Sequence, residues 1–259
     1  PVALLVLPVL LTLAMLWFDR WQARRGRRPA SRLPVRPWSL LFLAYIGTLS
    51  HPALDYLNSY GIRLLEPFSP RWFYGDTLFI IDVWLWSALP LGIWLSRRRE
   101  KAGHAGWTHP AIAAIAFALV YISGNMALSN RAEHDTAKAV VQTRGITPDL
   151  VIANAVPVTF WRRDMLWRGE GVIGRGDYSA LERNPLAFNL GTHATNMDAP
   201  LVAKARAQSP DAQAFLFWAR IPYAELAAIP GGHRVTLRDA RFDNSPIADR
   251  FAVIIDVKE

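Results

Sequence analysis

The sequence predicts a membrane all-α bundle of about four transmembrane helices followed by an α+β domain, and three observations carry that expectation. Of 259 residues, 52% are hydrophobic and only 19% charged, and the mean hydropathy is +0.13, more apolar than one soluble core requires. The excess is concentrated in long uncharged runs ahead of about Ser129, whereas the remainder mixes polar and apolar residues. The positive charge clusters beside the apolar runs, in Arg20 to Arg36 and in Arg97 to Arg99, as cytoplasmic flanks of membrane helices do. The boundary is therefore set at 1–128 for the membrane part and 129–259 for an extramembrane domain large enough to bury its own core.

Val2 to Phe18 and Leu78 to Ser96 match the roughly 20 residues that span a bilayer. Trp38 to Ser50 is shorter but continues through HPALDYLNSYG, which predicts one helix from about Trp38 to Tyr60, kinked near Pro52. Pro110 to Leu128 supplies the fourth, with Pro110 at its first turn. Seven arginines lie between Asp19 and Pro37, and SRRREK follows Leu95. Placing both inside sets the segment 51–76 and everything after Leu128 on the outer side of the membrane. Trp17, Trp38, Trp72, Phe73, Tyr74 and Trp107 fall where interfacial aromatics belong. The run VALLVLPVLLTLAMLWF has neither the basic start nor the cleavage site of a signal peptide.

The second part opens on a polar helical stretch, 130–142. Strand-like runs follow at Leu150 to Val158 and Asp164 to Val172, then helical stretches at Ala203 to Ala207 and Asp211 to Arg220. The chain closes on the strand-like RVTLRDARF and RFAVIIDVKE, separated by DNSPIAD. VPVTFWRRDMLWRGEGVIGRGDYSA, with Trp beside Arg twice, predicts a hairpin with cation-π contacts. GEGVIGRG lacks the Lys-Ser/Thr of a phosphate loop.

With no cysteine in the chain, thiol chemistry and disulfides are excluded, and a metal would need His and carboxylates. HPALDYLNSYG puts His51, Asp55 and Asn58 at i, i+4 and i+7, one face of a helix, with Tyr60 beside them. An imidazole and a carboxylate four residues apart can grip one metal ion, or simply hydrogen-bond to each other and hold the kink. Asp82 is expected inside the third span, about 9 Å beyond Asp76 at roughly 1.5 Å per residue. An ionisable group at that depth must face the bundle, a cavity or a metal. Asp76 reads equally as a carboxylate at a helix N-terminus. His104 and His109 in HAGWTH fall on the cytoplasmic side, and His134, His193 and His233 are isolated.

In its membrane half, through Leu128, the sequence resembles the bacterial family of LexA-binding, inner-membrane-associated metal-dependent hydrolases. HPALDYLNSYGIRLLEPFS and GDTLFIIDVWLW carry the resemblance, although Val83 stands where the family usually has Pro. Family members typically begin with a helix bearing a His-Arg-Gly-x-Thr-His type motif just ahead of the first apolar run. The resemblance therefore implies a metal site whose other half lies upstream of Pro1. On this reading a divalent ion, zinc by preference, is held by His51 and Asp55. It activates water at the periplasmic face, with Asp82 or Asp76 as general base or orienting group, Asn58 and Tyr60 in support, and a lipid or lipid-linked ester or phosphoester as substrate. Two alternatives stand beside it. One is a non-catalytic scaffold whose polar cluster locks helices while the outer domain binds a partner. The other is a docking site for a LexA-like repressor on the loop Arg20 to Arg36, whose arginines anionic lipid also explains. Nucleic acid is not an expected partner, whereas membrane lipid is.

Overall fold

The computed structural model describes residues 1–27, 34–244 and 248–258, which form two compact units, Pro1–Gly75 and Asp76–Glu259. Part of the arginine-rich loop (28–33) and part of DNSPIAD (245–247) lie outside the described residues.

The first unit is a helical hairpin, α1 (Val2–Arg24) and α2 (Pro37–Leu57). Pro37 opens α2 at a position where the missing N–H is no loss. The hydroxyl of Tyr45 donates to the Leu5 carbonyl at 2.9 Å, tying the two helices. Leu5, Leu10, Leu13, Trp17, Phe42 and Leu43 are exposed, more large apolar side chains than a hairpin in water leaves bare. Beyond α2 the chain doubles back through reciprocal backbone hydrogen bonds of 2.9 Å between Ile62 and Phe73, and the Arg63 guanidinium lies 5.7 Å from the Trp72 ring centre.

The second unit begins with a helix pair, α3 (Val83–Lys101) and α4 (His109–Arg144). They approach closely because small residues meet: a Cβ on Gly92 would come within 2.5 Å of the Ala114 methyl and 2.9 Å of the Pro110 carbonyl. The Ser96 hydroxyl accepts the Ala111 N–H at 3.0 Å. Val2–Arg24 and His109–Arg144 are long and apolar enough to cross a membrane. At 36 residues, α4 is about 54 Å long, well beyond the roughly 30 Å of a hydrocarbon core. Its polar C-terminal part is the support on which the rest of the unit folds.

That remainder is a β-sheet domain. Strands β1 (Leu150–Ala155), β2 (Arg162–Gly169), β3 (Val172–Ser179) and β4 (Leu186–Ala194) form an antiparallel meander. Two short helices, α5 (Pro200–Gln208) and α6 (Pro210–Trp218), lead to a second antiparallel sheet of β5 (Pro222–Ile229), β6 (Gly232–Asp239) and β7 (Ala252–Lys258). Val202, Ala205 and Phe215 of the helices pack on Val235, Leu237 and Val257 of this sheet. Ile152, Leu166 and Ile173 join Ile221 and Ala240 in a shared core between the sheets. Ala132 of α4 packs against Ala153, Met165 and Tyr178, docking the first sheet on the helix.

Several boundaries differ from those the sequence predicts. α2 ends at Leu57 because Asn58 turns extended and its side chain accepts the Tyr60 N–H at 2.8 Å, a local bond that competes with helix continuation. α3 starts at Val83, five residues later than the predicted span, because Asp82 caps it. The polar stretch 130–142 is the continuation of α4, so Leu128 falls in mid-helix. Gly-rich GEGVIGRG is a β-hairpin whose turn is Glu170 (φ 51) and Gly171 (φ 75). Strand β5 is not predicted by its residues, because PYAELAAI carries good helix formers, and pairing with β6 overrides them.

Candidate functional site

His51 and Asp55 lie on the last turns of α2, with Nε2 to Oδ2 at 3.3 Å and side-chain exposures of 83% and 40%. Their i, i+4 spacing produces the pairing directly, and the exposed imidazole can take a further ligand. Asn58 has left the helix and serves the turn rather than extending the face. Tyr60 contributes its backbone N–H to that same turn.

Asp82 has a different setting. Its Oδ1 accepts the N–H groups of Trp84 at 3.1 Å and Leu85 at 3.0 Å, capping α3. Its Oδ2 accepts the Tyr121 hydroxyl at 2.8 Å, fastening that cap to α4. It is therefore an N-cap and not the mid-span carboxylate that the apolar pattern predicts.

One face of α4 carries Tyr121, Asn125 and Ser129 at i, i+4 and i+8, and Arg163 of β2 reaches into it. The Arg163 Nε donates to Ser129 Oγ at 2.9 Å, and Nη2 donates to Asn125 Oδ1 at 2.9 Å and to the Asn125 carbonyl at 3.1 Å. Nη1 donates to the carbonyls of Phe160 and Arg162, each at 2.8 Å. The residue is 1% exposed and its hydrogen bonds go to neutral oxygens. Burial pushes its pKa down to about 10, with Tyr121 and Asp82 acting the other way.

Asp76 also differs from expectation. It precedes α3 by several residues, with φ at 45, and is 4% exposed. Its Oδ2 lies 2.5 Å from Arg220 Nη1, and its carbonyl accepts the Ser129 hydroxyl at 2.7 Å. Burial raises its carboxyl pKa above the ordinary value, against the opposing pull of Arg220. Asp76 thus links the segment before α3 to α4 and to the loop before β5.

Among the described residues, neither unit gathers three His, Cys, Asp or Glu side chains able to hold one metal ion. Catalytic zinc takes three protein ligands and a water, so His51 and Asp55 alone do not make that site. His104 and His109 bracket the start of α4, and Trp107 stands between them. Arg163, Asn125, Tyr121 and Arg220 went unsuspected in the sequence. The signal that could have found them is the polar i, i+4, i+8 stripe in α4, which demands a buried donor from elsewhere.

No curated protein and no solved structure matches the chain. A family model, YdjM inner membrane protein, matches residues 1–132. That match covers the apolar helices, the His51–Asp55 pair and the Asp82 cap, and the chain belongs to the YdjM inner membrane protein family.

Proposed function

We propose that the chain is a non-catalytic inner-membrane platform that holds its sheet domain rigidly at the periplasmic face for a partner to bind. The observation that carries this reading is the structural use made of both candidate catalytic carboxylates: Asp82 caps α3 and accepts from Tyr121, and Asp76 pairs through Oδ2 with Arg220. In the platform all four long helices span the bilayer, α2 and α3 beside the two that are long and apolar enough by themselves. The charge rule puts the turn at Arg97 to Lys101 inside, and α4 then carries the sheet domain across to the periplasm. The chain has no cysteine, so Glu182→Cys offers a single thiol on an exposed turn. A membrane-impermeant maleimide should label it in intact spheroplasts, and labelling that appears only after lysis overturns the orientation.

The exposed His51–Asp55 pair favours a second reading, in which these residues contribute to a divalent metal site, zinc by preference, of a hydrolase acting on lipid or a lipid-linked ester or phosphoester. A stoichiometric ion in the purified protein that is lost on His51→Ala supports the hydrolase. A metal-free protein unchanged by that substitution supports the platform.

A further inference from the structure

We propose that the loop between β1 and β2, residues 156–161, is a wedge by which the sheet domain enters the interfacial zone of the bilayer.

Its residues, Val-Pro-Val-Thr-Phe-Trp, are apolar or amphipathic throughout except for one threonine. Val158 is 53% exposed and Phe160 41% exposed, although both belong to a domain with a well-filled core. Val158 also adopts φ 65, a conformation unfavourable for a β-branched residue that persists only where the surroundings enforce it.

The level at which this loop sits identifies what covers it. Phe160 packs edge-on against Tyr121 of α4 at 5.6 Å and Trp84 of α3 at 5.9 Å. The Trp84 indole N–H donates to the Val158 carbonyl at 2.8 Å. Tyr121 precedes Leu128, the last residue of the apolar run of α4, by seven positions, or about 10 Å. The loop therefore reaches past the end of the polar part of α4 to the apolar stretch. On the same helix pair and the segment leading into it, Ile80, Ile81, Trp86 and Val120 are also bare. Trp84, Tyr121 and Trp161 there are the residue types that favour the headgroup boundary, and the guanidinium of Arg162, half-exposed and 3.8 Å from Asp177, adds a cation that lipid phosphate attracts.

The backbone gives an independent indication. Non-helical chain is tolerated at membrane depth only where its polar groups are satisfied internally. Here each carbonyl from Pro157 to Arg162 accepts a hydrogen bond. Pro157 accepts from Thr159 N, Val158 from Trp84 and Phe160 N, and Thr159 from Arg162 N. Phe160 and Arg162 accept from Arg163, and Trp161 accepts from Ala180 N.

The inference rests on α4 being a membrane span, so the test separates the two. Single cysteines at Val158, Val120 and Glu170 are spin-labelled in the full chain, reconstituted into vesicles of phosphatidylethanolamine and phosphatidylglycerol. Glu170 lies at the opposite end of β2, about 26 Å from the wedge at roughly 3.3 Å per residue. Labels on Val158→Cys and Val120→Cys should collide severalfold more with oxygen than with a water-soluble nickel chelate, and the ratio should reverse at Glu170→Cys. A Val158 label as open to the chelate as the Glu170 label, or shielded from both reagents, overturns the wedge while leaving the span intact. A Val120 label open to the chelate overturns the span and the wedge with it.

Discussion

The His51–Asp55 pair of the first unit and the polar cluster of the second are put to opposite uses. In the 1–75 unit, His51 and Asp55 pair on an exposed helix face and keep donor capacity to spare. In the 76–259 unit, Asp76, Asp82, Tyr121, Asn125, Ser129 and Arg163 are drawn into hydrogen bonds that join α3, α4 and β2. The difference shows that a polar residue in an apolar sequence signals a requirement for partners, and that catalysis is only one way of meeting it. A buried guanidinium surrounded by neutral oxygens holds elements in register, whereas an exposed imidazole beside a carboxylate remains free to bind.

The contrast breaks most readily at Arg163. Arg163→Met leaves Asn125, Ser129 and the Phe160 carbonyl without their donor, and each buried acceptor left unpaired costs roughly 1–3 kcal/mol. A large fall in the unfolding temperature of the purified protein, with early protease cleavage in the sheet domain, is expected. A variant as stable as the parent would show that the joint has little energetic weight. Asp82 sharpens the comparison further. Asp82→Ala should destabilise by about 1 kcal/mol, as loss of a helix cap does, whereas Asp82→Asn, itself a good cap, should lose much less. Denaturation of both variants in the same detergent checks this, and equal losses would deny the capping role.

Asp76 supplies a smaller, pH-dependent effect. Its folded pKa lies above the ordinary value of about 3.9. Its contribution is therefore fully present below that pH and is lost as pH rises through the folded pKa. Asp164, raised by burial beside Arg175, has the same sign. Asp76→Asn should flatten the decline in stability with rising pH relative to the parent, and an unchanged slope in thermal melts would exclude Asp76 as a source. The least effect is expected at His51: with 83% of its side chain exposed, His51→Ala should shift stability by no more than about 0.5 kcal/mol. A larger loss would put His51 among the structural residues.

The sequence made the division of labour legible where periodicity was long. The apolar run of α1, the proline-started α4 and the late alternating strands β6 and β7 are visible in residue pattern alone. So was the i, i+4 pairing of His51 with Asp55. The joint was hidden because its members are distant in sequence: Arg163 sits beside Arg162, and only strand alternation, with 162 outward and 163 inward, separates a surface charge from the keystone. Asp82 was placed inside a helix because hydropathy does not register a cap, and FIID is as apolar as the helix it precedes. Asp76 could not be linked to Arg220, 144 positions away, from spacing of any kind.

The most direct test of the claim that Asp82 belongs to a structural joint is the divalent metal content of the purified protein and of its Asp82→Asn variant, measured by atomic spectroscopy. The account expects the same metal content in both. A stoichiometric ion that is present in the parent and disappears when the Asp82 carboxylate is exchanged for an amide would contradict it.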